Sequence, residues 1–335
     1  MMAQTGMKGF PPVDAAGLVR RLQRPEGPVD VVLDTDTFNE IDDQYALAYL
    51  IAHEGMLRLK GIYAAPFSNQ KAPDPQIGME QSHEEILRVL GLMGREDLIP
   101  LVRRCSARYL PDEATPVPSD AARALADLAA RYSPETPLYV IAIGAITNVA
   151  SALLMAPEIR DRIVIVWLGG HALHWHSNDE FNLRQDVAAA RVVLGCGAAV
   201  VLLPCCGVVS AFATTEPELR AQLKGQGALC DYLYESTVAY TAERSRVLCW
   251  SKPIWDVTAV GWLTGAYTRD ELIPSPIPAY DLHWSRDGRR HLIRYVYHIE
   301  RDRLFADLFD QLRRLPQRKT SAPPAALHQE GRSFI

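Results

Sequence analysis

A dense group of acidic side chains stands near the start of the chain, inside the segment VVLDTDTFNEIDDQYALAYLI. Its members share ten consecutive positions directly after a run of apolar residues: Asp34, Asp36, Glu40, Asp42 and Asp43. Carboxylates gathered in one place repel one another strongly unless a cation or a proton lies among them. Several converging oxygen ligands suit a hard divalent cation, Ca²⁺ or Mg²⁺, better than zinc. The sequence therefore predicts an oxygen-ligated metal site.

The later acids of this group have a second explanation. Asp42 and Asp43 could cap the N-terminus of the following helix, where the helix dipole stabilises carboxylates. That explanation leaves Asp34 and Asp36, at the end of the preceding strand, without a role. In open α/β sheets, ligands bind beyond the carboxyl ends of the strands. We therefore expect these four acids to meet at one edge of a sheet.

Apolar segments that alternate with helical patterns must position the acids. The pattern predicts a buried strand at residues 29–36 and a helix at residues 42–55 that ends at Gly55. The buried face of that helix should carry Ala46, Leu47, Leu50 and Ile51. Further strands are predicted, in order along the chain, at LRLKGIYAA, PLYVIAIG, RIVIVWLGG and AAVVLLPCC, with helices between them.

After Cys206 the pattern changes. It is helical over residues 216–265, becomes β-like near 279–299, and ends in a predicted last helix, RDRLFADLFDQLRRL. We expect an α/β fold: a mainly parallel, Rossmann-like sheet with helices on both faces, plus a helical C-terminal part. One domain is predicted over residues 1–335, with its core at about 29–315 and a disordered polar tail at 316–335.

The composition excludes several classes of protein. Hydrophobic residues make up 48% of the chain, charged residues 22%, and the net charge is −5. With no basic stripe, no apolar secretion signal and no apolar stretch long enough for a bilayer, we expect neither nucleic acid nor membrane as a partner, and a cytoplasmic location. The six cysteines lack C-x-x-C spacing, which favours buried thiols over a disulfide framework or a zinc ribbon.

Four segments, in order along the chain, carry a more specific pattern: DTDTFNEIDD, IGAITNVASAL, WLGG followed by NDEFNLRQDVAAA, and PIWDVTAV. They resemble the motifs D-T-D-P-G-x-D-D, T-G-P-L-T-N-I-A-x-A-L, G-G…A-E-F-N-x-x-x-D-P-E-A-A and H-D-P-L-A-V of the inosine-uridine preferring nucleoside hydrolase family. A longer stretch replaces Pro-Gly in the first motif. The resemblance covers roughly residues 29–265. It implies hydrolysis of the N-glycosidic bond of ribonucleosides, to base and ribose, by a Ca²⁺-activated water.

The resemblance also implies roles for individual residues. Asp36, Asp43 and Asp256 would be carboxylate ligands of Ca²⁺, with the backbone carbonyl of Thr147 as a further ligand. Asp36 also matches the residue that takes the proton from the attacking water. The ribose-binding positions fall on Asp42, Glu180 and Asn182. The alternative for the last two is an ordinary polar loop before a helix that Asp186 caps.

Three more residues complete the predicted site. Asp34 is expected to orient the metal ligands. Asn39, in the altered loop, could contact the ribose or satisfy a turn. Trp255 stands where many members of the family carry a histidine, and it is assigned to substrate binding. Because an indole N–H has no useful acidity near neutral pH, Trp255 cannot protonate a leaving base.

The histidines of residues 171–176 are a further departure. His174 stands where the family usually carries an asparagine, and it is assigned to the substrate. His171, His174 and His176 surround Trp175 and could line a base pocket. Their spacing could also suggest a transition metal, but no cysteine or carboxylate accompanies them in the sequence, so a metal is not predicted there. The resemblance further implies a small-molecule nucleoside or riboside as partner and assembly into a homodimer or homotetramer.

Two other functions are compatible with parts of the sequence. VVLDTDTF nearly fits the D-x-D-x-T/V strand of haloacid-dehalogenase-type phosphohydrolases, which would make Asp34 the nucleophile, Asp36 the acid and Mg²⁺ the cofactor. Phe38 stands where that motif needs Thr or Val, and no later G-D-x-x-x-D segment follows. A nucleoside or pentose binder without turnover is the other alternative, because Trp255 replaces a candidate acid.

Overall fold

The structure of the chain is a computed structural model that describes residues 7, 9–247 and 249–315. The predicted tail at 316–335 lies outside the described residues. The strands are β1 (Val29–Thr35), β2 (Leu57–Ala64), β3 (Val102–Arg104), β4 (Leu138–Ala142), β5 (Ile163–Leu168), β6 (Ala199–Leu203), β7 (Ala213–Thr214), β8 (Lys252–Pro253), β9 (Thr268–Pro274), β10 (Ile277–Pro278), β11 (Trp284–Ser285) and β12 (Leu292–Ile299).

The helices connect these strands and cover the sheet. They are α1 (Ala15–Arg21), α2 (Asp43–Ala52), α3 (Pro75–Met93), α4 (Asp120–Ala129), α5 (Thr147–Met155), α6 (Phe181–Gln185), α7 (Val187–Gly195), α8 (Glu216–Leu223), α9 (Ala228–Arg244), α10 (Val257–Thr264) and α11 (Arg301–Arg314). Among the described residues, no helix is both long and apolar enough to cross a membrane.

Eight strands form the central sheet, in the order β3-β2-β1-β4-β5-β6-β12-β9. All neighbours pair in parallel except β9, which runs antiparallel to β12 at one edge. Strands β4, β5 and β6 are buried along their whole length, as expected of parallel strands with helices on both faces. The predicted fold class, a mainly parallel α/β sheet with an added helical C-terminal part, is confirmed.

Helix α2 carries the later acids and lies at the centre of the molecule. It is buried on every side from Asp43 to Ile51, because α10 and α11 pack on it. The hydroxyl of Tyr45 donates to the carbonyl of Leu233 in α9 at 3.0 Å. The prediction of one buried face was therefore too narrow, and the helix ends at Ala52 rather than at Gly55.

Strand β9 is one element that sequence periodicity missed. Its sequence, TRDELIP, has three consecutive charged residues before Leu272 and Ile273, and charged side chains are typical of a sheet edge. The charged side chains of β9 form tertiary contacts; for example, Arg294 of β12 donates a hydrogen bond to Asp270 at 2.5 Å. A charged edge strand gives no long apolar run, so the pattern predicted β structure only from about residue 279.

Candidate active site

The first two acids lie at the carboxyl end of β1, as predicted. Asp34 is fully buried, and its Oδ2 accepts from the Asn148 side chain at 2.9 Å and contacts the Cys105 thiol at 3.6 Å. Asp36 directly follows β1 and is 2% exposed. Its Oδ2 is buried without a hydrogen-bond partner. Each of the two carboxylates therefore keeps one buried oxygen without a partner, Oδ1 of Asp34 and Oδ2 of Asp36, but only Asp34 has its other oxygen held by neighbouring side chains.

Three further carboxylates converge from two helix starts. Asp42 and Asp43 begin α2, and Asp256 directly precedes α10. Their carboxylate oxygens lie within 4.8 Å of one another. The Thr35 hydroxyl donates to Asp43 at 2.5 Å, and the Asp256 backbone amide donates to Asp42 at 3.3 Å. The packing of α10 on α2 therefore gathers acids that are more than two hundred positions apart in the sequence.

Burial and mutual repulsion strongly perturb these groups. Burial and the Asp42 charge raise the pKa of Asp43 to about 8, and burial raises the pKa of Asp42 to about 6 against the opposing charge of Lys252. The pKa values of Asp36 and Asp256 are raised well above the ordinary range, first by burial and then by neighbouring carboxylates. Part of the group must hold protons at neutral pH unless a cation replaces them.

The donor set fits a hard divalent cation. It offers only oxygens, at least four carboxylates act on one another, and Asp36 carries a buried oxygen without a partner. Ca²⁺ and Mg²⁺ favour such ligands. The tight triad contains Asp42, which the resemblance assigned to ribose, while Asp36 lies beside it rather than within it. The Asp-rich group could therefore bind a metal ion.

A cavity of about 290 Å³ opens directly beside the carboxylates. Its wall comes from the loops and helix starts at the carboxyl ends of several strands: Asp36, Asn39, Glu40, Asp42, Asp43, Ile143, Leu168, His171, Asp179, Glu180, Phe181, Asn182, Arg184, Cys205, Trp255 and Asp256. A larger cavity of about 1200 Å³ lies at the amino ends of the strands. In that larger cavity the acids form salt bridges, Asp161 with Arg21 and Asp30 with Arg58. Because those acids are already paired with arginines, the smaller cavity is the candidate site.

Glu180 and Asn182 lie in that wall and also hold the local fold. Glu180 caps α6: its carboxylate accepts from the backbone amides of Gly170, Asn182 and Leu183 at 2.8–3.0 Å. Burial raises its pKa, and these three amides oppose the shift. The Asn182 side-chain amide donates to the carbonyls of Ile143 and Leu168, both at 3.1 Å. Only its Oδ1 therefore remains as an acceptor for a ligand.

Trp255 borders the cavity on the side of the late acid. Its indole N–H donates to the Ser210 hydroxyl at 3.2 Å. The ammonium of Lys252 lies 4.0 Å from the centre of its ring and is paired with Glu40. This contact fixes one ring face by a cation–π interaction. Lys252 was assigned no role from the sequence, and Glu40 was included only as one of the five clustered acids.

Asn39 is held in place by the loop that follows β2. Its Oδ1 accepts from the Asn69 amide at 2.9 Å, and its backbone carbonyl accepts from Lys71 at 2.8 Å. Asn69 and Lys71 belong to the loop between β2 and α3, which therefore contacts the altered segment between β1 and α2.

Three predicted site residues lie outside the cavity wall given above. Thr147 begins α5, and its hydroxyl donates to Asp186 at 2.6 Å. His174 is exposed, and the histidine that does line the cavity is His171. Asp34 lies beneath the wall, out of reach for nucleophilic attack on a substrate in the cavity, which disfavours the phosphohydrolase alternative. The roles assigned to Thr147 and His174 stay predictions.

The chain is similar to known proteins both in sequence, through a family profile, and in fold, through solved structures. Residues 31–305 match the sequence profile described as inosine-uridine preferring nucleoside hydrolase. Curated protein sequences give no significant match. The structure is similar to a plant nucleoside hydrolase, PpNRh1, with 18% identity and a TM-score of 0.68 over 86% of this chain and 100% of that one.

Two other solved structures are similar in fold. A purine-preferring ribonucleoside hydrolase from Gardnerella vaginalis shares 19% identity, with a TM-score of 0.66 over 86% of this chain and 99% of that one. The type III effector protein XopQ, solved with adenosine diphosphate ribose, shares 17% identity, with a TM-score of 0.61 over 89% and 98% of the two chains. At these identities the likeness shows the fold alone, whereas the profile match covers most of the chain.

Proposed function

Because this chain belongs to the inosine-uridine preferring nucleoside hydrolase family, we propose that it hydrolyses the N-glycosidic bond of ribonucleosides to base and ribose. The family makes the chain a hydrolase acting on N-glycosyl compounds. The observation that carries the proposal is the buried carboxylate group of Asp36, Asp42, Asp43 and Asp256 on the wall of a cavity of about 290 Å³.

The metal of this metal-dependent family is proposed to be Ca²⁺. Its ligands would be the carboxylates of Asp36, Asp43 and Asp256 and the carbonyl of Thr147, with Asp42 near enough to bind as well. When bound, the ion would offset the crowded negative charge, hold two ribose hydroxyls and lower the pKa of the attacking water. Asp36 is the proposed base, because its unpartnered Oδ2 can accept a proton without breaking an existing hydrogen bond.

The ribose is proposed to bind between two sets of polar groups. Asp42 and Asn39 approach from the first strand's loop, and Glu180 and Asn182 from the start of α6. Hydroxyl groups need both acceptors and donors in fixed positions. The hydrogen bonds that already hold these side chains keep them in place before a substrate arrives, which lowers the cost of forming an oxocarbenium-like transition state.

The base is proposed to bind against Trp255. An indole offers a flat apolar face but no acidic proton for the departing nitrogen. His174, the predicted contact, is exposed, whereas His171 lines the cavity. This wall can therefore contribute to catalysis mainly by stabilising the ribosyl cation, because Trp255 cannot protonate the leaving base.

A product assay tests the proposal. The full chain is incubated with inosine, uridine and other ribonucleosides, and free base and reducing sugar are measured separately, with p-nitrophenyl phosphate as the contrasting substrate. Equal amounts of base and ribose from at least one nucleoside, and no phosphate release, are expected. Tight nucleoside binding without either product would favour a binding protein, and phosphate release would favour the phosphohydrolase. The proposal extends to a cytoplasmic role in nucleoside salvage and to assembly as a homodimer or homotetramer.

A further inference from the structure

A second group of side chains that could hold a metal ion lies at the same cavity, with two of its three members in the wall. It consists of His171, which follows β5, and the adjacent Cys205 and Cys206, which follow β6. Asp36 of the first site follows β1, which is two strands away from β5 and three from β6 in the sheet. At about 4.8 Å per strand, these strands are roughly 10–14 Å apart. The cluster of His171, Cys205 and Cys206 is therefore distinct from the cluster of acids.

The spacing of these three side chains suits one metal ion. A ring nitrogen of His171 and the two sulfur atoms lie within 4.8 Å of one another. Zinc binds sulfur at about 2.3 Å and nitrogen at about 2.0 Å, so tetrahedral ligand atoms lie about 3.5–3.8 Å apart. Small side-chain rotations close the remaining distance. The fourth position would be left to water, as in zinc sites with three protein ligands.

The backbone around the three side chains is held in advance. The Cys205 amide donates to the carbonyl of Gly170 at 2.8 Å, and the Ala172 amide donates to the carbonyl of Cys206 at 2.9 Å. The Cys206 amide donates to Nδ1 of His171 at 3.2 Å. Gly207 then turns away with φ +89°, where an added Cβ would lie 2.7 Å from that of Ala172. The two backbone hydrogen bonds fix both loops without using a metal-ligand atom, which is the preorganisation that a metal site needs.

The two cysteines differ from the three that are fully buried. Cys105, Cys196 and Cys230 lie in the core, and their thiols contact Asp34, the carbonyl of Val193 and the carbonyl of Leu312. Cys205 and Cys206 are half-buried at a cavity, where an ion can enter. Adjacent thiols and an imidazole are soft or borderline ligands, which select Zn²⁺ or Cu⁺ over Ca²⁺.

We propose that His171, Cys205 and Cys206 form a binding site for one thiophilic cation of the Zn²⁺ class, separate from the carboxylate site. Binding replaces two thiol protons, which are released to the solvent, and uses the one lone pair of a neutral imidazole, so the hydrogen bond from the Cys206 amide to His171 is broken when the metal binds. The missing cysteine partners were the reason that the sequence predicted no metal at the histidines. The structure supplies those partners from the loop after β6, 34 and 35 positions later in the chain.

The site is connected to the proposed base-binding wall. Cys205 and His171 both line the cavity. The Cys205 sulfur lies 4.0 Å from the Ser210 hydroxyl, which accepts the Trp255 indole N–H at 3.2 Å. A bound cation would narrow the cavity and disturb this chain of contacts, so Zn²⁺ should inhibit hydrolysis. Binding does not depend on the hydrolase activity, whereas inhibition rests on the proposed function.

Cobalt substitution tests the binding. The full chain, reduced with a thiol-free reductant and saturated with Ca²⁺ to occupy the carboxylate site, is titrated with Co²⁺ and then with Zn²⁺. We expect thiolate-to-cobalt charge-transfer absorption that saturates at one equivalent and is bleached by one equivalent of Zn²⁺. The absorption should be lost in Cys206→Ser and in His171→Ala. It should persist in Cys249→Ser, which removes an exposed thiol elsewhere, and in Asp43→Asn, which is predicted to stop hydrolysis.

A measurement on the wild-type protein does not depend on whether the variants fold. X-ray absorption at the zinc edge should show two sulfur neighbours at about 2.3 Å and one imidazole nitrogen at about 2.0 Å. An all-oxygen shell, or absorption that survives in the Cys205→Ser/Cys206→Ser variant, would overturn the site. Zinc bound with this shell but without inhibition of nucleoside turnover would keep the site and remove only its link to the cavity.

Discussion

Replacement of Asp43 by Asn should stabilise the metal-free protein at alkaline pH while abolishing turnover. Asp43 has its pKa raised to about 8 in the folded protein, from 3.8 as the ordinary value. A carboxyl with a raised folded pKa holds its proton in the folded state after the unfolded state has lost it. Stability is therefore greatest below pH 3.8 and falls as pH rises towards 8.

The size of the effect follows from proton linkage. One proton retained only by the folded state costs about 1.36 kcal/mol per pH unit, or about 4 kcal/mol between pH 5 and pH 8. With an unfolding entropy of about 2.1 cal/mol/K per residue, a chain of this length loses roughly 6 °C in Tm. An Asn keeps an oxygen to accept from the Thr35 hydroxyl, now at 2.5 Å, but carries no charge. We expect Asp43→Asn to exceed the wild type by about 2–4 kcal/mol at pH 8 in chelator.

Thermal unfolding with chelator or Ca²⁺, at pH 5 and pH 8, measures this difference. The pKa of His291 is lowered to about 4, which increases stability as pH rises to about 6.5, so variant and wild type must be compared at each pH. The control is Asp186→Asn, since the Asp186 carboxylate accepts from Thr147, Leu110 and Ala189. It should be about 1–3 kcal/mol less stable than the wild type at pH 5. Because burial raises the pKa of Asp186 as well, this deficit should not grow towards pH 8. The reasoning is refuted if metal-free Asp43→Asn is less stable than the wild type at pH 8. It is also refuted if Ca²⁺ raises the Tm of Asp43→Asn as much as it raises that of the wild type.

Three further outcomes follow from the cavity wall. A 2′-deoxynucleoside should be hydrolysed about 100-fold more slowly than its ribonucleoside, because buried polar groups lose a partner; equal kcat/KM values would contradict the ribose assignment. Trp255→Phe should lower turnover less than Trp255→Ala, since a ring survives although the Ser210 contact is lost; equal losses would point to that contact instead. p-Nitrophenyl riboside should be cleaved much faster than inosine, since its leaving group needs no proton. If the two substrates are cleaved at equal rates, and neither His174→Ala nor His176→Ala changes the turnover of inosine, another residue must be the acid.

The sequence predicted those parts of the site that a local pattern encodes. An apolar strand followed by acids placed Asp34 and Asp36 at the carboxyl edge of the sheet and Asp42 and Asp43 at the start of α2, as found. Asp256 was reached only by resemblance, because no periodicity links it to β1. Its position depends on how α10 packs against α2.

Other features depend on tertiary contacts that a single sequence does not reveal. Glu180 was expected to contact ribose, and its capping bonds to three backbone amides became visible only in the fold. His171 and Cys206 are 35 positions apart and meet because β5 and β6 are neighbours. Strand β9 has no long apolar run, so its pairing with β12 at the sheet edge left no signal.

The most direct test of the central claim is the initial rate of ribonucleoside hydrolysis by metal-stripped protein, measured before and after stoichiometric Ca²⁺ is added. If the buried carboxylates gather an ion that the reaction needs, the stripped protein should be about 100-fold slower or worse. One equivalent of Ca²⁺ should restore the rate in the wild type and not in Asp43→Asn. Full turnover by protein that elemental analysis shows to be free of metal would contradict the account.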